Sequence, residues 1–201
     1  MVATVENHRL YHVTMTTGYK QALVAKQRIT VGTQHNPFFG FYEGAREYPV
    51  TDGDTVIQVK AVDWLTRVRD KRILTTPEML ATIAYEVTQH YIMLCRELIM
   101  EETRREEFNS EPPSRQVCLY GCDTIEEAKS FSALLGPGGV ICELSCTGTI
   151  HRADSRLMLK DSEPLSVTRN RARSYWRGEA SDDPRFETLF VGDATVTHLG
   201  L

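Results

Sequence analysis

No stretch of this 201-residue sequence approaches the ~20 consecutive apolar residues that a membrane-spanning helix needs. Nor do Met1 to Arg9 carry the apolar core of a secretory signal. The expectation is therefore a cytoplasmic protein with no membrane partner. A glycine-rich phosphate loop of the Rossmann or Walker kind is missing, which leaves those modes of nucleotide binding without support. Repeats and low-complexity tracts are missing too. The net charge of −4 gives no global field toward nucleic acid or anionic lipid, so any patch for a polyanion has to be local. Five cysteines are an odd count, which fits reduced thiols better than a disulfide framework. Cys118 with Cys122 and Cys142 with Cys146 have the look of metal-ligand pairs. Four-residue spacing along a strand, however, holds two thiols about 13 Å apart, and one zinc would need a turn at Gly121. Buried cysteine is the better reading, and no metal is expected.

What is present suits one folded unit over residues 1–201. Hydrophobic residues make up 41% and charged ones 25%, enough of each for a core and a wetted surface. Leu10 to Thr14 reads as a strand, and Thr16 to Lys26 as a short helix. Arg28 to Val31 is extended. His35 to Pro49 sets five aromatics among Asn, Pro and Gly without a period, and reads as a loop, either strapped over the core or walling a pocket. Thr75 to Glu78 has capping-box spacing and Pro77 suits a first turn. A long helix follows to about Arg105, with Met79, Ile83, Val87, Tyr91, Leu94 and Leu98 as its apolar stripe and Glu101 to Glu107 as a solvated, ion-paired end.

Asn109 to Ser114 is a loop, and Gln116 to Tyr120 a strand. Asp123 caps a helix over Ile125 to Leu135, which Gly136-Pro137-Gly138-Gly139 stops. Val140 to Leu144 is a strand, followed by weaker alternation over Thr149 to Leu159. Near the end, Arg185 to Val191 is a strand carrying Glu187, Gly192-Asp193 makes a turn, and Ala194 to Leu199 forms a last strand. Strands at both ends with helices between them make an α+β fold.

Four features carry possible chemistry. Glu187 sits among Phe186, Leu189 and Val191, where an ionised carboxylate is expensive without partners or a task. His12 poses the same question between Tyr11 and Val13. The third is the aromatic loop with Asn36 and Arg46. In the fourth, Arg169, Arg171, Arg173 and Arg177 interleave with Tyr175 and Trp176, a pattern suited to single-stranded nucleic acid, phosphates on guanidinium groups and bases on rings. Its plainer alternative is a solvated basic strand with Trp176 in the core.

A first strand of the form Tyr-His-x-Thr (Tyr11 to Thr14), a short helix, and a final strand Phe-Glu-x-Leu-x-Val-x-Gly (Phe186 onward) resemble the ADP-ribosyltransferase superfamily. Within it, the likeness is to toxins of bacterial toxin–antitoxin and phage-defence modules that modify nucleic-acid bases. The resemblance covers roughly the first fifty and the last thirty residues. It implies split antiparallel sheets around an NAD cleft, with NAD as substrate, a nucleic acid (RNA or single-stranded DNA) as acceptor, and a possible antitoxin partner. By the same resemblance His12, with Thr14 and Asn36 nearby, holds the nicotinamide-side ribose and Glu187 bonds its 2′-hydroxyl. Phe39, Phe41 and Tyr42 are candidates to stack on nicotinamide, and Arg46 is the loop arginine that contributes to catalysis. Arg185 stands two residues before Glu187, where protein-arginine transferases carry Glu or Gln, which disfavours that acceptor. A related RNA 2′-phosphotransferase relies on arginines and has no need of the last glutamate. Transfer to a protein side chain, and a non-catalytic binding domain on the same fold, are the alternatives.

Overall fold

A computed structural model describes residues 2–15, 23–52, 54–158 and 161–200. In chain order the elements are β1 (Val2–Met15), β2 (Arg28–Val31), α1 (Pro37–Glu43), β3 (Glu47–Asp52), β4 (Thr55–Lys60) and α2 (Ala61–Arg69). The long α3 (Pro77–Glu107), β5 (Leu119–Gly121), α4 (Ile125–Leu135), β6 (Gly139–Asp154), α5 (Leu165–Arg177) and β7 (Phe186–Leu199) complete it. The fold is α+β with antiparallel strands. One five-stranded sheet runs β1-β6-β7-β2, with β5 also paired to β7, and a separate hairpin joins β3 and β4.

That sheet curls back on itself. β6 pairs with β1 along one edge and with β7 along the other, so β1 and β7 never touch as neighbours. β5 adds to β7, and the residue after it, Cys122, exchanges backbone hydrogen bonds of 2.8 and 2.7 Å with Tyr11 of β1. The circuit β1-β6-β7-β5-β1 is thereby closed. Inside it, Leu10, Cys142, Leu144, Cys146, Phe190, Ala194 and Val196 form an apolar cluster.

Gly192-Asp193 is not a turn. β7 runs straight through it, and Gly192 lies opposite Gly148 of β6. Both have positive φ, +136° and +155°. A side chain on Gly148 would run into the Val191 carbonyl and come within 2.8 Å of the Gly192 Cα, so the two backbones approach as only glycine allows. A turn residue in sequence is here a close-approach residue between long strands.

Several other expectations change. Residues 16–22 of the anticipated first helix lie outside the described residues, and Leu23 to Lys26 are coil and turn. The aromatic stretch is regular: Asn36 caps α1 by accepting from the Phe39 N–H, Pro37 opens the helix, and β3 follows. The hairpin β3–β4 and helix α2 carried no signal in the reading above. They pack Tyr48, Val59, Ala61 and Trp64 against Ile83 and Val87 of α3. The cap of α3 is Thr76, which accepts from Met79, one residue later than expected. Thr124 rather than Asp123 caps α4. β5 is shorter than the strand expected over 116–120.

The buried face of α3 also differs. Ile83, Val87, His90, Glu97, Glu101 and Arg104 face inward, while Met79, Tyr91 and Leu98 are exposed. The polar end is only in part the solvated, ion-paired face expected: Glu102, Arg105, Glu106 and Glu107 are exposed, while Glu101, Thr103 and Arg104 are buried. α5 lies across it, the Trp176 indole donating to the Met100 carbonyl at 2.8 Å. Arg104 binds Glu101 and the carbonyls of Ser110 and Pro112, and Ser114 donates to Glu101. Glu101 and Arg104 are buried because the loop after α3 folds back and supplies their partners.

Candidate functional site

His12 and Glu187 arrive from strands on opposite sides of β6, paired with Cys142 and Ala153 respectively. The closing of the sheet brings them together. Both line one cavity of about 210 Å³ whose walls include Tyr11, Phe38, Arg96, Arg115, Tyr120 and Phe131. A second cavity of about 500 Å³ adjoins it, sharing His12, Val13, Phe38 and Tyr120 and extending past Thr14, Thr30, Gln34 and Asn36. Its volume lies within the ~300–1,000 Å³ usual for small-molecule sites. One lobe is walled mainly by rings and aliphatic groups around two arginines and a carboxylate; the other is also largely apolar, with hydroxyl and amide groups from Thr14, Thr30, Thr33, Gln34 and Asn36 set among aliphatic side chains.

The segment Arg115 to Tyr120 ties the two ends of the chain together. His12 Nδ1 lies 2.7 Å from the Tyr120 carbonyl. A carbonyl only accepts, so Nδ1 carries the proton. The Tyr120 hydroxyl donates to the Arg115 carbonyl at 2.8 Å, and the Asn36 amide donates to the carbonyls of Arg115 and Cys118 at 2.7 and 3.0 Å. From the same residue the Arg115 guanidinium reaches Glu187.

Around that guanidinium four charges alternate: Arg96, Glu97, Arg115, Glu187. Arg96 pairs with Glu97 at 2.9 Å, and Arg115 Nε donates to the second Glu97 oxygen at 2.9 Å. Arg115 Nη1 donates to Glu187 Oε1 and to the Tyr175 hydroxyl, which itself donates to Glu187 Oε1 at 2.6 Å. Tyr120 and Tyr175 rings flank the guanidinium, 5.0 and 5.3 Å from its carbon. Glu187 is 3% exposed and Glu97 fully buried. Burial alone would raise the Glu97 pKa, but the two arginines outweigh it and hold it below the ordinary glutamate value. Burial also drives the Tyr175 and Tyr120 phenols upward, so both stay protonated donors. Both protein contacts of the Glu187 carboxylate fall on Oε1. Among the described residues Oε2 has no such partner, and Glu187 lines the cavity.

The other anticipated site residues are placed as follows. Thr14 and Asn36 line the larger cavity, Thr14 accepting from the Leu23 N–H. Of the aromatics on α1, the one at the cavities is Phe38, which the reading above passed over. Phe39 is buried, Phe41 is half exposed against His90, and Tyr42 packs edge-on to Phe38. At about 100° per residue Phe39 is turned away from the face of Phe38, while Phe41 and Tyr42, one turn further along, pack toward His90 and α3 instead of reaching the cavities. Arg46 is held elsewhere: it pairs with Glu86 at 2.9 Å, beside the Tyr48 hydroxyl and the ring of Phe41. It lines neither cavity.

The basic run does not form a stacking surface. It is helix α5, with Tyr175 and Trp176 on its buried face, fully occupied by Glu187, Arg115 and the Met100 carbonyl. Its arginines are paired: Arg169 with Glu102, Arg171 with Glu163, Arg173 with Glu107, Arg177 with Glu179. Helical periodicity separates what strand alternation would have interleaved on one ribbon. Cys118, Cys122, Cys142 and Cys146 are buried, with burial pushing Cys122, Cys142 and Cys146 up to about 12, 11 and 12. No cluster of three or more potential metal ligands occurs among the described residues.

Residues 10–199 match the model of a family described as a protein of unknown function, DUF2441. The chain belongs to that family. The matched span runs from the strand that carries His12 to the end of the strand that carries Glu187, so it contains both walls of the cavity. No curated protein matches the chain. Among the described residues no helix is long and apolar enough to cross a membrane.

Proposed function

We propose that this chain is an NAD-dependent mono-ADP-ribosyltransferase, cleaving the nicotinamide–ribose bond in the cleft between His12 and Glu187. The observation that carries the reading is Glu187 itself, a lining residue of the cavity fixed through Oε1 and with Oε2 unpartnered among the described residues, with His12 on the same walls. The likeness of the two terminal strands to ADP-ribosyltransferases supports it. In the reaction the C1′–nitrogen bond breaks, its electron pair leaves with nicotinamide, and positive charge builds on the ribose ring. Glu187 Oε2 accepts a hydrogen bond from a ribose hydroxyl and stabilises that cation. A fixed carboxylate of this kind is worth ~3 kcal/mol or more. The acceptor's lone pair then bonds to C1′ and its proton leaves to solvent. His12, its ring set by Tyr120, helps hold the ribose, and Phe38 and Tyr120 are the rings placed to stack on the leaving base.

The narrower proposal for the acceptor is a nucleic-acid base, within a toxin–antitoxin phage-defence module. It rests on the resemblance and on Arg185 standing where protein-arginine transferases carry an acid or amide. The paired arginines of α5 add nothing to it. Incubating the chain with labelled NAD and, separately, RNA, single-stranded DNA and lysate protein identifies the acceptor. Glu187→Gln is expected to cut transfer about 100-fold; undiminished transfer removes Glu187 from the mechanism. A second reading has one observation in its favour, the burial of Glu187 against Arg115. It is a non-catalytic binding domain, and it predicts no thermal shift with NAD.

A further inference from the structure

Resting on that reading, we propose that Arg115 is the positioning residue for Glu187, and that Glu97 is the anchor that holds Arg115 in place. Arg115 is 2% exposed and forms part of the cavity wall, but its hydrogen bonds are spent on protein groups behind that wall. All its directional bonding points inward. Nε and, more distantly, Nη2 are engaged by the two oxygens of Glu97, and Nη1 by Glu187 and Tyr175. A guanidinium is a rigid planar fork, so fixing its Nε side on Glu97 fixes where Nη1 points. Nη1 and the Tyr175 hydroxyl meet on a single carboxylate oxygen of Glu187. Two donors on one oxygen lock the carboxylate's rotation and leave the other oxygen to the substrate.

The row of charges also sets the field. Were Glu97 neutral, Arg115 would place its whole positive charge beside Glu187 and oppose the cation forming on the ribose. With Glu97 ionised, as its lowered pKa indicates, Arg115 is neutralised from behind and Glu187 keeps its effect at the cavity. Glu97 is thus a second carboxylate of the site that touches no substrate. Nothing in the terminal strands reveals it, because it lies in the middle of α3.

Nicotinamide release from NAD, NAD affinity by calorimetry and thermal midpoints test the arrangement on the whole chain carrying Arg115→Met, Arg115→Lys or Glu97→Gln. NAD affinity is expected to stay within about threefold of wild type. The saturating rate should fall about 100-fold in Arg115→Met and about tenfold in Glu97→Gln, with Arg115→Lys recovering part of the loss. If Arg115→Met does not fold, Glu97→Gln and Arg115→Lys decide. A wild-type rate in a folded variant overturns the inference, as does a fall in which affinity, rate and midpoint decline together and lysine rescues nothing. A wild-type chain that neither binds nor cleaves NAD fails one step earlier. It sinks the transferase reading and this inference with it.

Discussion

Arg115→Met tests the buried charge row without any substrate. The guanidinium sits between two carboxylates that are 3% exposed or less, and methionine keeps the apolar stem while removing the charge and its donors. Removing one partner of a buried pair leaves an uncompensated charge and costs about 3–5 kcal/mol. Here Arg96 still faces Glu97 and the Tyr175 hydroxyl still faces Glu187, which places the expected loss at the lower end of that range. A domain stable by about 5–15 kcal/mol survives it. The pH dependence has a definite sign. Glu97 is held below its ordinary value in the folded chain, so its ion pairs stabilise fully above about pH 4.3 and are lost as pH falls through the lowered folded value. The variant lacks the part of that contribution that Arg115 supplies. Its deficit relative to wild type should therefore be largest at pH 7 and shrink at pH 4. Urea unfolding at the two pH values reads both quantities. A loss below about 1 kcal/mol at pH 7, the size of an exposed pair, refutes the reasoning, as does a deficit that does not narrow with acid.

His151 offers an independent pH test, since burial pushes it down to about 4 and its Nδ1 has no partner among the described residues. The neutral ring is favoured in the fold, so stability is present above about pH 6.5 and is lost as pH falls toward 4, by ~3 kcal/mol; His151→Gln should flatten the urea midpoint over that interval. Gly148→Ala is expected to cost more than about 2 kcal/mol in urea unfolding, because both its φ and the facing Gly192 backbone resist a side chain. On α5, Arg173→Gln should change stability by less than about 1 kcal/mol, whereas Trp176→Ala should cost about 3–5 kcal/mol, the reverse of what a stacking surface would show.

How much of the site could be read in advance depends on the range of the interactions that make it. Glu187 and His12 stand out because each breaks the apolar pattern of its own strand, a purely local signal. Arg115 and Glu97 give none. Arg115 follows two prolines in what looks like a loop, and Glu97 lies in a helix already rich in glutamate. The arginine neighbours of Tyr175 suggest a surface position, whereas strand and helix periodicity send its ring to different places. Phe38 was passed over in favour of its neighbours for the same reason: without the phase of α1, four clustered aromatics cannot be ranked.

By itself the sequence determined the elements whose signals are complete within a few residues. These are the long α3 with its threonine-proline start, α4 between its cap and its glycines, the strands holding His12 and Glu187, and the α+β class. Tertiary structure alone decided which face of α3 is buried, why Glu101 and Arg104 at its charged end are enclosed, and that Gly148 and Gly192 mark a close approach of two paired strands. It also decided that strands from the two ends of the chain meet at one cavity. Those outcomes rest on hydrogen bonds and ion pairs between residues far apart in sequence, and their cost or gain exists only once the sheet has closed.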